Sequence, residues 1–414
     1  MENAPEKPGL QAAAVLPAGG CGERLGGSTP KQFCTVLGRP LISLTLEAFE
    51  RVKWIHNIVV VAAPENVDLM KTIVHKYNHK RITIVEGGLT RHRSIFNGLK
   101  VFSEDYPFDS SIQKPDVVII HDAVRPFVEE DILFKVASAA RQHGAAGAIR
   151  PLISTVIASS VDGTLEHSLD RSKYRASEMP QAFLFDVIYQ AYLKCTNDDL
   201  DFGTECLHLA LKYSNTKAKL LEGPPDLWKV TYKRDLYAAE SIIKEHISQH
   251  LCIVTNTKEE AIQVGFLLHE NLKTHVKVKA VSSSMCKTVH HLQNIFHGQC
   301  NNFICINVNE SDFEQTCQLV YLLQNAHGAA SYPSVIISVH ITDPELCSSG
   351  IQKLAPIRKL GKEAQKSNVF LYGLLLNFSK DTSQLQETIC EGVSIIIALI
   401  KDRNPALVGQ ILVA

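Results

Sequence analysis

Two cations stand just beyond a glycine-rich turn near the start of the chain. The turn runs Leu16-Pro17-Ala18-Gly19-Gly20-Cys21-Gly22-Glu23-Arg24-Leu25-Gly26-Gly27, and Ser28-Thr29-Pro30-Lys31-Gln32 follows it. Glycines after a strand let backbone N–H groups approach phosphate oxygens closely. Arg24 and Lys31 then supply charge suited to a triphosphate and to its transfer chemistry. No Gly-Lys-Ser/Thr follows, so this is not a Walker A loop. Gly20, Gly22 and Gly26 give G-x-G-x-x-x-G, one residue longer than a dinucleotide fingerprint. Glycines alone would read equally well as a surface loop with solvated charges. Pro17, Arg24, Pro30, Lys31 and Gln32 at these positions favour the phosphate reading.

Three further stations carry candidate chemistry. Glu86-Gly87-Gly88-Leu89-Thr90-Arg91-His92-Arg93-Ser94 follows an apolar run and opens a helical pattern. Backbone groups and a Ser hydroxyl can read a base edge, although an ordinary N-cap by Thr90 or Ser94 fits as well. Val117 to Ile120 leads into His121-Asp122-Ala123-Val124-Arg125-Pro126. A carboxylate just past the end of a buried parallel strand sits where such sheets bind ligands, and Mg²⁺ takes few carboxylates beside phosphate oxygens. Arg125 reads as a structural cation holding its loop. Glu222-Gly223-Pro224-Pro225-Asp226-Leu227-Trp228-Lys229-Val230-Thr231 adds an acid and a cation far along the chain. A weaker segment, Asp170-Arg171 through Pro180-Gln181-Ala182-Phe183, adds more basic groups.

Taken together, L-P-A-G-G-x-G-x-R-L…P-K-Q-F, G-x-x-R-x-x-S, D-A-x-R-P and the closing E-G…K-V-T resemble a known family. It is the Rossmann-like nucleotidyltransferases, in the branch that makes CDP-methylerythritol or CDP-ribitol. The resemblance covers about residues 10–245. It implies that Ala18, Gly19, Gly20, Gly88, Arg91, Ser94, Asp122 and Ala123 bind CTP, with Leu89 standing where bacterial members often carry Asp. It implies Mg²⁺ as cofactor on Asp122 and Asp226, and Arg24, Lys31 and Lys229 as catalytic cations. Arg171 and Lys229 would hold the acceptor, a sugar-alcohol phosphate. A β-arm over Ile153 to His167 would exchange between subunits of a homodimer. The implied reaction moves CMP from CTP to a polyol phosphate, with D-ribitol 5-phosphate ahead of methylerythritol phosphate and CDP-ribitol feeding glycan assembly. An inactive scaffold with the same fold stays a rival, opposed by the intact charged set.

The elements that must position these residues follow an α/β rhythm. Solid apolar runs at Ala12–Leu16, Ile58–Ala62, Ile82–Val85 and Val117–Ile120 predict parallel strands buried on both faces. Ala145–Ile149 and Lys219–Leu221 predict more, and Leu41–Phe49, Val67–Tyr77 and Ser94–Phe102 predict helices between them. A helix from Lys233 to about Gln249 closes a first domain, 1–250. A second domain, 251–414, repeats the rhythm with strands at Leu251–Val254, Val276–Val281, Phe303–Asn307, Val335–Val339 and Val369–Leu376. Phe313–Leu323 and Leu385–Ile400 predict its helices. It has no glycine loop after Val254 and no Tyr followed four residues later by Lys, so it reads as a degenerate Rossmann-like unit without a recognisable cofactor site. His290-His291 reads as a solvated or core pair rather than a metal ligand.

Composition narrows the class. The 414 residues suit two domains, and a net charge of -1 provides no global basic field for nucleic acid. Anionic substrates therefore need local cation clusters. The N-terminal MENAPEKPGLQ has neither a signal h-region nor an Arg-rich transit pattern, and the run Val393 to Ile400 is too short to span a bilayer, so a cytosolic protein without membrane insertion is expected. Eleven Cys without C-x-x-C spacing suit reduced thiols.

Overall fold

Each of the apolar runs becomes a strand, usually one to three residues longer than its apolar stretch. The computed structural model describes residues 9–20, 22, 26, 29–103, 112–282, 300–308, 312–325, 332–342, 355–379 and 381–414. Arg24 and the His290-His291 pair lie outside them. The chain separates into two compact units, 1–236 and 237–414. The cut falls inside the helix Lys233–Ile247, whose C-terminal end belongs to the second unit: Ile247 O accepts from Asn302 Nδ2 and Arg403 Nη2.

The first unit is built on a seven-stranded sheet in the order Lys219–Glu222, Ala145–Pro151, Arg175–Leu184, Val117–Ile120, Ala12–Ala18, Ile55–Ala62 and Ile82–Glu86. All neighbours pair in parallel except Arg175–Leu184, which runs antiparallel to both of its partners. Apolar clusters cover both faces, as continuous hydrophobic strands require. The strand Ala12–Ala18 lies deep within this sheet, with all but Pro17 buried. Its C-terminal end, and that of Val117–Ile120, are where a doubly wound sheet presents its ligand crevice. The predicted arm is a separate antiparallel hairpin, Ile157–Ser159 with Leu165–Ser168, and Ile153, Ile157, Val161 and Leu165 are exposed on it.

The second unit has a six-stranded, wholly parallel sheet in the order Lys277–Ser282, His250–Thr255, Asn302–Asn307, Ser334–Thr342, Val369–Asn377 and Ile411–Val413. It too is α/β and covered on both faces. The helix Thr382–Asp402 is longer than the run Val393–Ile400 suggested. Its 21 residues are enough, by length and composition alone, to cross a membrane. Leu385, Ile389, Val393, Ile396, Leu399 and Ile400 instead bury one face of it in the unit's own core.

Candidate active site

Small residues and one buried amide set the floor of the site. The strand Ala12–Ala18 ends at the exposed Gly19 and Gly20. Gln32, almost fully buried, donates from Nε2 to Ala18 O at 2.7 Å and so pins the turn Lys31–Phe33 to the strand end. Gly22 has φ +79°, and a Cβ there would meet Lys31 N at 2.8 Å, so only glycine lets the loop pass this close. The helix Arg91–Lys100 is capped by Thr90, whose hydroxyl accepts Arg93 N–H. A Cβ on Gly98 would lie 2.6 Å from Val15 and 2.8 Å from Val61. Its absence lets the helix lie close on two strands and brings Arg91 and Ser94 to their C-terminal ends.

A pocket of about 340 Å³ opens there. Its walls hold Ala18, Gly19, Gly20, Lys31, Gly88, Arg91, Ser94, Asp122, Ala123 and Lys229, drawn from four stretches distant in sequence. Asp122, only 5% exposed, is ringed by cations. Arg91 Nη2 reaches its Oδ1 at 3.0 Å, while Arg125 Nε and Lys229 Nζ reach Oδ2 at 3.0 and 3.1 Å. Burial alone would raise the Asp122 carboxyl pKa. Arg91, Lys229 and Arg125 overcome that and hold it well below the usual carboxylate range. The described lining carries three cations, Lys31, Arg91 and Lys229, against one carboxylate, so it favours a polyanion.

Arg125 does more than hold its own loop. It donates to Asp122, to Glu178 and to Leu227 O, tying the carboxylate to the segment that delivers Lys229. Val230 N–H donates to Val124 O at 3.1 Å and fastens the same segment. His121 donates from Nε2 to Arg125 O at 2.9 Å; burial pushes its pKa down to about 4, so the ring is neutral.

Some of the sequence-predicted residues are not brought to the pocket. Asp226 sits exposed on the turn Pro225–Leu227, outside the lining. Arg171 is exposed near the hairpin and donates to Ile153 O at 2.8 Å. Ser94 does line the pocket, but its hydroxyl accepts from Gly88 N at 3.1 Å and donates to Gly88 O at 3.2 Å. It therefore fixes the glycine turn from inside the pocket wall. Sequence reasoning missed Thr45, whose hydroxyl holds Ala123 O at 2.9 Å, and Glu178, the further acid on Arg125. Neither has a local signal: one sits mid-helix, the other in a charged strand end.

Comparison with known proteins identifies the family. Residues 12–245 match the family of 2-C-methyl-D-erythritol 4-phosphate cytidylyltransferase, and residues 249–393 match the D-ribitol-5-phosphate cytidylyltransferase C-terminal domain. A D-ribitol-5-phosphate cytidylyltransferase of Xenopus tropicalis is 73% identical over 98% of both chains. Its Homo sapiens counterpart is 58% identical over 97% of this chain and 90% of its own. A 2-C-methyl-D-erythritol 4-phosphate cytidylyltransferase of Clostridium acetobutylicum is 32% identical, over 57% of this chain and 99% of its own.

Proposed function

The chain belongs to the cytidylyltransferase family typified by 2-C-methyl-D-erythritol 4-phosphate cytidylyltransferase and carries out CTP-dependent cytidylyl transfer to a polyol phosphate, and we propose that its acceptor is D-ribitol 5-phosphate. Support for ribitol comes from relatives so named that match end to end, second unit included. The erythritol-phosphate relative covers 57% of the chain, and the family model of that name covers residues 12–245. The observation that carries the site assignment is the cation ring on Asp122 at the strand ends.

In this reading an oxygen of the acceptor's phosphate attacks the α-phosphorus of CTP. The new P–O bond forms as the α–β anhydride bond breaks, leaving CDP-ribitol and pyrophosphate. No general base is required, because a phosphate monoester is already ionised near neutral pH. The work of the site is neutralising and aligning two anions. Lys31 lines the pocket with Gly19 and Gly20 to take triphosphate oxygens, and Arg24 is the second catalytic cation of this reading. Lys229, tied to Asp122, holds the phosphate passing between the two substrates. Gly88, Leu89 and Ala123 form the wall for base and ribose.

We extend the proposal to Mg²⁺ on Asp122, whose two oxygens are held here by Arg91, Arg125 and Lys229. Asp122 stays ionised and is the only carboxylate among the described lining residues, and Mg²⁺ uses one or two carboxylates plus substrate phosphates. Asp226, exposed outside the lining, is the weaker half of that proposal. Bound there, the metal would add charge neutralisation on the triphosphate. The exposed apolar hairpin would join two copies, with Arg171 serving the acceptor phosphate, and CDP-ribitol would supply glycan assembly. The test is pyrophosphate release with CTP across ribitol, ribulose, ribose, glycerol and methylerythritol phosphates. Ribitol 5-phosphate should give the highest kcat/KM, and a preference for methylerythritol phosphate would overturn the acceptor.

A further inference from the structure

The loop Gly87–Ser94 forms one wall of the pocket but has little core of its own: Leu89, at its tip, is 98% exposed. What holds it is a segment over a hundred residues away, 196–205. Thr90 Oγ1 donates to Leu200 O at 2.5 Å while accepting Arg93 N–H at 3.3 Å, so one hydroxyl joins the helix cap to the distant segment. The Arg93 guanidinium forks onto Asp201, Nε to Oδ1 at 2.6 Å and Nη2 to Oδ2 at 3.0 Å, and Nη2 also reaches Asn197 Oδ1 at 3.2 Å. A Cβ on Gly203 would lie 3.0 Å from the His92 ring, so the segment sits flush on the residue between Arg91 and Arg93. His92 is fixed from its other side, where Nδ1 pairs with Tyr192 OH at 2.7 Å.

The segment is itself anchored. Its helix Asn197–Phe202 starts with a capping box between Thr196 and Asp199. The Asp199 carboxylate accepts Lys212 Nζ at 2.9 and 3.1 Å and the Tyr213 hydroxyl as well. The loop thus borrows its support from a segment that is tied to the body of the unit.

We propose that segment 196–205 is the positioning element of the pyrimidine wall, with Arg93 and Asp201 as its clasp. Neither residue lines the pocket, so both act through the backbone of Gly88 to Arg91. The pair is about one-third exposed on each side, and such pairs add little to folding. Its loss therefore appears in loop geometry rather than in the fold. Contacts of this wall to base and ribose are made equally in the ground and transition states, so weakening them raises KM for CTP and spares kcat. This rests on the assignment of the pocket to CTP.

The experiment is a double-mutant cycle in the full chain, with Arg93→Ala, Asp201→Ala and the double variant. Each single variant should raise KM for CTP by about 2–5-fold, the size an exposed bidentate pair can transmit. It should leave kcat within about twofold, KM for the acceptor unchanged and the melting temperature near wild type. The double variant should be no worse than the poorer single, since the two act as one unit. Wild-type KM for CTP in both singles, additive losses in the double, or a parallel rise in the acceptor KM would each overturn the clasp. Those outcomes leave the pocket assignment standing, because that assignment fails only if removing Lys31 spares turnover.

Discussion

The two sheets in this chain end differently at the same kind of place. In both units parallel strands bring loops together at their C-terminal ends, where α/β sheets bind ligands. In the first unit that edge is open and carries more cation than anion, with Lys31, Arg91 and Lys229 around a single Asp122. In the second unit the loop after His250–Thr255 brings up Lys258, and both oxygens of Asp312 take it, at 2.9 and 2.7 Å. Asp312 also accepts Val308 N–H. Asn307, at the end of the neighbouring strand, turns its amide onto Ser338 Oγ and Val339 O. Among the described residues, the first edge gathers three cations around one carboxylate, and the second pairs Lys258 with Asp312 one to one. An excess of cation suits an anionic ligand, and a matched pair suits a fixed loop.

The comparison can be broken most severely at Asp122. Asp122→Asn keeps the shape but removes the charge that three cations share, so kcat should fall by about 10²–10³-fold, and the uncompensated cations should also lower the melting temperature. A Mg²⁺ titration that overlays wild type would remove Asp122 from the proposed metal site. In the second unit the matching lesion is structural. Arg403 is 2% exposed and donates to Pro333 O, Ile247 O and Asn302 Oδ1. Arg403→Leu strands those acceptors and should cost about 1–3 kcal/mol, read as a lower melting temperature, with kcat near wild type. A large loss of kcat without destabilisation would contradict the division of labour.

The smallest effect is a pH slope. Burial lowers His92 and His121 in the first unit, and His340 in the second, to about 4. The unfolded chain takes up these protons first as pH falls from about 6.5, so stability declines between 6.5 and 4. Asp122, held low, also loses its contribution only on acidification. Among the described residues, the first unit carries two such histidines and the second carries one, beside His250, which burial also lowers. Amide hydrogen exchange at pH 7 and pH 5 should therefore show the first sheet losing more protection. Equal losses would argue against it.

Much of this was legible in the sequence. Apolar runs such as Val117–Ile120 have to be buried strands, and the spacing of Gly20, Arg24 and Lys31 speaks for phosphate without any fold. The strand Arg175–Leu184 was not legible. Its first half, Arg175 to Glu178, is charged and largely exposed, Pro180 interrupts it, and only its second half is buried. The partners of Arg125 were equally hidden, because Glu178 and Leu227 O meet it only through strand order and loop closure. Asp226 was named by its motif alone, and the turn Pro225–Leu227 presents it to solvent outside the described pocket lining.

The account stands on the open edge of the first sheet being the phosphate-transfer site, and Lys31 tests that most directly. Lys31 lies on the pocket wall with Gly19 and Gly20, on a turn that Gln32 ties to Ala18 O. Steady-state pyrophosphate release by Lys31→Ala, at saturating CTP, ribitol 5-phosphate and Mg²⁺, should show kcat reduced by about 10²–10³-fold in a protein that remains folded. Turnover near wild type under those conditions would contradict the assignment of this pocket.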